Sequence, residues 1–156
     1  MAEVIRVFLV DDHEIIRDGI KSLIGSYEFI DVIGEAGSGE DAIAQLTELD
    51  VDVVLMDIQM PKMNGIETAG KLLKIKPNLK VIALSMHNEE AYILRMLKIG
   101  ASGYLLKESG RDELVRGIET VFGGQQYLSN MVSMKLINSL LKSKVKKQAK
   151  SKAESL

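Results

Sequence analysis

The sequence contains no cysteine. Disulfide scaffolds and thiolate metal sites are therefore excluded. Histidine is almost as scarce: His13 and His87 are the only two, far apart in the chain, and no zinc site is expected from them. Both read as ordinary surface or loop residues. No apolar run approaches the roughly 20 residues that a membrane-spanning helix needs. At the N-terminus an acidic residue, Glu3, precedes a short apolar run with no small-residue cleavage site, so the segment does not read as a signal peptide. No internal repeat of fixed period is present. What is there is a chain of 156 residues, 46% hydrophobic and 27% charged. Those proportions give one soluble globular domain with a substantial core and a short addition. A cytoplasmic protein with no membrane partner is expected.

Charge is unevenly spread. The formal net charge is −2, but residues 142–156 hold six Lys and one Glu and so carry +5. The rest of the chain carries −7. An acidic body of this kind is a poor nucleic-acid surface. The basic end, rich in Ser, Ala and Gln as well, reads as a solvated linker or disordered tail rather than a DNA contact.

Short apolar runs occur at 5–10, 31–36, 51–56, 80–85 and 103–106. They are rich in Val and Ile and mostly lack polar alternation, as strands do when a parallel sheet is covered on both faces. Amphipathic stretches lie between them. Ile16, Ile20 and Leu23 recur at helical spacing, as do Ile66, Ala69 and Leu73, and Leu114, Ile118 and Val121. Ser38, Pro77-Asn78 and Gly100 punctuate helix ends. Five strand-then-helix units imply an α/β fold, a doubly wound five-stranded parallel sheet with right-handed crossovers. The flavodoxin-like order 2-1-3-4-5 suits five strands. Met131, Met134, Ile137 and Leu140/Leu141 predict one more helix, packed on the body or on a partner and fraying into the Lys-rich tail. The expected division is residues 1–125 for the domain and 126–156 for a C-terminal helix and basic linker.

In such sheets ligands bind beyond the carboxyl ends of the strands, where strand order reverses. Asp11 and Asp12 follow the first run, Asp57 the third and Lys107 the fifth, while Ser85 closes the fourth. Each has an ordinary reading alone: a helix-start acid pair, a loop acid, a surface lysine, a capping serine. Their delivery to one edge is what carries weight. Three neighbouring carboxylates stay charged only beside a cation, and Mg²⁺ favours a few carboxylates plus phosphate. Phosphoryl transfer needs mainly positioning and charge neutralisation. Asp57 is then the nucleophile, able to form an aspartyl phosphate. Lys107 neutralises phosphoryl oxygens and the Ser85 hydroxyl donates a hydrogen bond to one. Pro61 and Gly65 shape a tight loop after the nucleophile.

The motifs LVDDHEIIRDG at 9–19, VVLMDIQMPKMNG at 53–65, VIALSMH at 81–87 and GASGYLLK at 100–107 resemble the receiver domain of bacterial two-component response regulators over roughly residues 3–125. Their spelling is similar to the NarL/FixJ (LuxR-type) subfamily. The resemblance implies that Asp12, Asp57 and the backbone carbonyl of Gln59 hold Mg²⁺, with Asp11 acting through a metal-bound water. It implies Ser85 and Tyr104 as a switch pair: the hydroxyl swings toward the phosphoryl group, the ring follows inward, and the face around the fourth helix and fifth strand changes. Tyr104 by itself would read as core packing. Gln59 would tune the lifetime of the phosphoryl group, and Met86 would crowd the pocket mouth. A sensor histidine kinase is the implied donor and a phosphorylation-dependent homodimer the implied product, with the first and fifth helices as a plausible surface.

Members of the subfamily usually carry a C-terminal helix-turn-helix that binds DNA. Nothing after residue 125 resembles one, so transcriptional output is expected through a domain missing from this chain; a stand-alone regulator acting by protein–protein contact is the alternative. A small-substrate phosphatase using the same aspartyl phosphate is disfavoured, because Gln59 stands where such enzymes carry an aspartate. A flavin-binding protein is disfavoured too, because Asp11-Asp12 replace a phosphate-binding loop. The acid cluster with Lys107 argues against a binding module with a dead site. The domain is therefore expected not to be an enzyme beyond its own phosphoryl transfer and dephosphorylation.

Overall fold

The structure is a computed structural model, and it describes residues 3–86 and 89–154. His87 lies outside the described residues. Strands and helices alternate as β1 (Ile5–Val10), α1 (Glu14–Ile24), β2 (Ile30–Ala36), α2 (Gly39–Glu48), β3 (Val53–Met56), α3 (Gly65–Ile75), β4 (Lys80–Ser85), α4 (Glu90–Lys98), β5 (Gly103–Leu106), α5 (Arg111–Phe122), β6 (Tyr127–Leu128) and α6 (Asn130–Glu154). The order in the sheet is β2-β1-β3-β4-β5-β6, and every pairing is parallel. The flavodoxin-like order is as expected, with one strand more.

The unbroken apolar runs follow from burial on both faces. In β1, Val7 and Leu9 join a core with Ile20 and Ile24 of α1 and Leu114, Ile118 and Val121 of α5. Phe8 and Val10 point the other way, into a core with Leu46 of α2, Ile66, Ala69 and Leu72 of α3, and Ile93 and Met96 of α4. Successive residues of a strand alternate faces, so a strand covered on both sides has no polar positions to show. Residue selection within helices shifts by one in places. Ile24 rather than Leu23 is the buried end of α1, and Leu72 rather than Leu73 is fully buried in α3.

Helix ends are set locally. The Ser38 side chain accepts from the Asp41 N–H at the start of α2, and the Asn64 side chain accepts from the Glu67 N–H at the start of α3. Both satisfy backbone donors that have no intrahelical partner. Gly100, with φ of 102°, turns the chain after α4 in the left-handed region that suits glycine.

Four details correct the sequence-based expectation. β2 begins at Ile30 and β3 at Val53, a shift of one residue and of two. A sixth strand exists. The Tyr127 N–H donates to Ser102 and the Ser129 N–H to Tyr104, carrying the ladder across β5. Room for it comes from Gly103, where a Cβ would lie 2.7 Å from the Tyr127 carbonyl oxygen. The basic end is helix through Glu154, not a frayed tail. No Gly or Pro occurs after Gly124, and Lys, Ala and Gln are good helix formers. Finally, the face of α6 that meets the body is Val132 and Leu136, while Met131, Met134, Ile137, Leu140 and Leu141 are exposed.

Candidate functional site

Each expected residue is fixed by the edge of the sheet. The Asp57 N–H donates to the Val10 carbonyl, Asp11 to Ala36 and Lys107 to Ser85, so the ladder runs one residue past the strands and delivers these side chains together. The Lys107 ammonium lies 2.7 Å from Asp11 Oδ2 and 3.3 Å from Asp57 Oδ1. Asp11 and Asp57 are buried and Asp12 is partly open. One ligand atom each from Asp11, Asp12, His13 and Asp57 falls within 4.8 Å of the others.

The electrostatics of this cluster are strained. Burial, with the Asp11 charge beside it, pushes the Asp57 carboxyl up to about 6, against the opposing pull of Lys107 and a hydrogen bond from the Gln59 backbone. Asp57 Oδ2 is buried with no hydrogen-bond partner among the described residues, and Asp12 Oδ1 lies 3.1 Å from His13 Nδ1. Buried polar atoms in native proteins are almost always satisfied. Three carboxylates beside one lysine, with an orphaned oxygen on Asp57, fit a hard divalent cation held by oxygen. The other nearby cation is turned away: the Arg17 guanidinium donates to the Asp11 backbone carbonyl and lies 3.6 Å from Glu35.

His13 belongs to the cluster, which its sequence reading missed. Its backbone N–H donates to Asp11 Oδ1 at 2.9 Å, and its Nδ1 lies 2.9 Å from the same oxygen. The hydrogen bond with Asp11, followed by the charge of Asp12, raises the imidazole pKa. The signal available was adjacency: a residue two after a strand-end carboxylate can reach back to it.

The structure brings Ser85 and Tyr104 together. The two hydroxyls are hydrogen-bonded, and burial pushes the Tyr104 phenol up to about 12. Tyr104 is fully buried, in the same core as Ile93, Met96 and Val132. Ser85 does not cap α4, whose N-cap is Glu89. Met86 is exposed.

The loop after Asp57 shows why its residues are what they are. A Cβ on Gly65 would lie 1.9 Å from the Asp57 carbonyl oxygen, so α3 can start there only with glycine. Pro61 is exposed, and Lys62 takes the left-handed conformation with φ of 66°. Gln59 holds its side chain away from Asp57, its amide donating to the Tyr92 hydroxyl at 3.3 Å.

With the geometry in view, the comparisons are specific. The profile of the response regulator receiver domain matches residues 7–119. Response regulator GacA of Pseudomonas viridiflava is 41% identical over 132 residues, covering 85% of this chain and 62% of that protein. Response regulator UvrY of Escherichia coli K12 is 38% identical over 132 residues, covering 85% of this chain and 61% of that protein. The chain thus spans about three fifths of the length of these curated relatives. A LuxR-family two-component response regulator from Aurantimonas sp. SI85-9A1 superimposes with a TM-score of 0.86 at 30% identity, covering 89% of this chain and 99% of that one. The isolated receiver domain of RcsB from Salmonella enterica serovar Typhimurium, solved with the phosphomimetic BeF3−, gives 0.79 at 28% identity, covering 86% and 99%.

Proposed function

Because this chain belongs to the response regulator receiver domain family, and within it to the NarL/FixJ type, we propose that it takes a phosphoryl group from a sensor histidine kinase onto Asp57 and passes the change to α4 and α6. The observation that carries this reading is the Lys107 ammonium between Asp11 and Asp57, at the mouth of a three-carboxylate cluster.

The step balances simply. An Asp57 carboxylate oxygen forms a bond to phosphorus as the phosphorus–nitrogen bond of a phosphohistidine breaks, and the leaving imidazole nitrogen takes a proton. Asp12, Asp57 and the Gln59 carbonyl would hold a Mg²⁺ ion, with Asp11 acting through a water; bound there, it supplies neutralisation of phosphoryl charge. Lys107 neutralises a further phosphoryl oxygen while pairing with Asp11 beside it. The Ser85 hydroxyl exchanges its Tyr104 partner for a phosphoryl oxygen. Tyr104 shares its core with Ile93, Met96 and Val132, so loss of that hydrogen bond is felt where α4 and α6 meet the sheet. Pro61 and Gly65 hold the loop in register beneath the acceptor.

Residues 1–125 form the phosphoacceptor unit in this reading, and 126–156 connect it to output. That output is a phosphorylation-dependent homodimer and transcriptional control through a C-terminal helix-turn-helix. Support comes from relatives: RcsB, matched at 28% identity over 86% of this chain, has been solved as two dimers bound to two parallel DNAs. No helix among the described residues is long and apolar enough to cross a membrane.

The test is intact mass after incubation with a small phosphodonor and Mg²⁺. A gain of one phosphoryl group in the parent chain, absent from Asp57→Asn, is expected. A gain that survives Asp57→Asn would remove Asp57 from its role.

A further inference from the structure

We propose that α6 pairs with α6 of a second copy as a parallel two-stranded coiled coil, through the face that runs from Met131 to Val145. This rests on the dimer in the function proposed above and adds a further surface to it, beside the one through which the bodies meet.

Met131, Met134, Leu141 and Val145 are 55, 58, 57 and 64% exposed, although all are apolar. Together with Asn138 they fall at spacings of three, four, three and four residues. That is the a and d pattern of a heptad seam, with Met131, Asn138 and Val145 at a and Met134 and Leu141 at d. At 100° per residue the seam lies nearly opposite Val132 and Leu136, which hold α6 to the body. The seam is therefore free to meet a second helix while each body sits on the outside. Beyond Ser139 every residue whose side chain is described is exposed. That leaves about two turns of helix, residues 140–147, with their described side chains in solvent, a length that is marginal alone in water.

Three features choose a second copy over another occupant. Asn138 at an a position can bond its own counterpart across a two-fold axis, which fixes register and the two-stranded state. Val at a and Leu at d also favour two strands. The flanking charges choose the direction. Parallel pairing sets Asn130 against Lys135 and Ile137 against Lys142 of the second copy, whereas antiparallel pairing sets Lys135 against Lys142. The apolar part of the seam is only about two heptads, too short to hold a dimer tightly by itself. It needs the two bodies to be held as well, so that the helices meet at high effective concentration. Contacts of α6 with α4 and β5 put its base on the face expected to change on phosphorylation.

The chain has no cysteine, so single cysteines report directly. Leu141→Cys, at a d position, and Ser143→Cys, on the outer f position, are oxidised in the full chain with and without phosphodonor and Mg²⁺, and phosphorylation is read by mass on the same samples. We expect a covalent dimer from Leu141→Cys at least about fivefold more abundant than from Ser143→Cys. Equal cross-linking at both positions, or none at either in samples shown to be phosphorylated, would overturn the seam. Failure to phosphorylate would count against Asp57, while in those samples unequal cross-linking would still support the seam and equal cross-linking would still overturn it. Each helix carries seven lysines, so sedimentation in 0.5 M rather than 0.05 M salt should tighten the dimer by about threefold or more. Weakening by salt, or a monomer that binds anionic vesicles through this face, would contradict pairing with a second copy.

Discussion

Asp57 Oδ2 is a buried oxygen with no hydrogen-bond partner among the described residues, on a carboxyl lifted to about 6 by burial and by Asp11. Its charge therefore costs folded stability when no cation is bound. In chelator at pH 8, Asp57→Asn should raise stability by about 1–2 kcal/mol in urea unfolding. A loss of stability would mean that the Lys107 contact outweighs the desolvation. Tyr104 supplies a second residue-level prediction. Its folded pKa is raised from 10.0 to about 12, so its contribution is intact below pH 10 and is lost as pH rises through 12. The parent should show a phenolate absorbance step near 12 that Tyr104→Phe lacks. The sequence contains no tryptophan to obscure that step. The meeting of Asp11, Asp12, Asp57 and Lys107 was legible in the sequence because strand ends are legible, and a parallel sheet gathers them on one edge. His13 and the Gln59–Tyr92 hydrogen bond were not. The first depends on side-chain rotation within a turn, and the second joins residues 33 positions apart with no periodic signature.

At the level of elements, the connection from β3 into the first residue of α3 holds two positions with opposite demands. Gly65 has backbone atoms where a Cβ would go, and Lys62 is a side-chain-bearing residue in a glycine-like conformation. Gly65→Ala should destabilise by about 2–4 kcal/mol and slow phosphorylation, because the whole start of α3 must move. Lys62→Gly should be neutral or stabilise by up to about 1 kcal/mol. Equal effects from both would show that the loop is not held as described; urea midpoints decide. Most elements could be read from the sequence because they are long and periodic. β6 could not: two residues have no period, and its place depends on small residues elsewhere, Gly103 beneath its backbone and Gly117 beside the Tyr127 ring. The Ser, Lys and Ala of the C-terminal segment suggested a linker by composition, but a run without Gly or Pro has no reason to stop being helix.

For the whole molecule, the Asp57 edge of the sheet and α6 are joined through one core. Asp57 is beside Lys107 at the end of β5, Ser85 bonds Tyr104 within the sheet, and Val132 of α6 is buried in the same core as Tyr104. Shortening the chain to end at residue 125 should therefore cost about 2–4 kcal/mol, from the lost β6 pairing and the uncovered core around Val132. An unchanged thermal midpoint would show instead that 126–156 are energetically separate. The central claim remains the identity of the acceptor. The most direct measurement is borohydride reduction of the protein after reaction with a small phosphodonor and Mg²⁺, followed by peptide mapping. Reduction converts an aspartyl phosphate to homoserine and so marks its position. Homoserine at position 57 alone is the predicted result; homoserine at 11 or 12, or phosphate retained on His13, would contradict it.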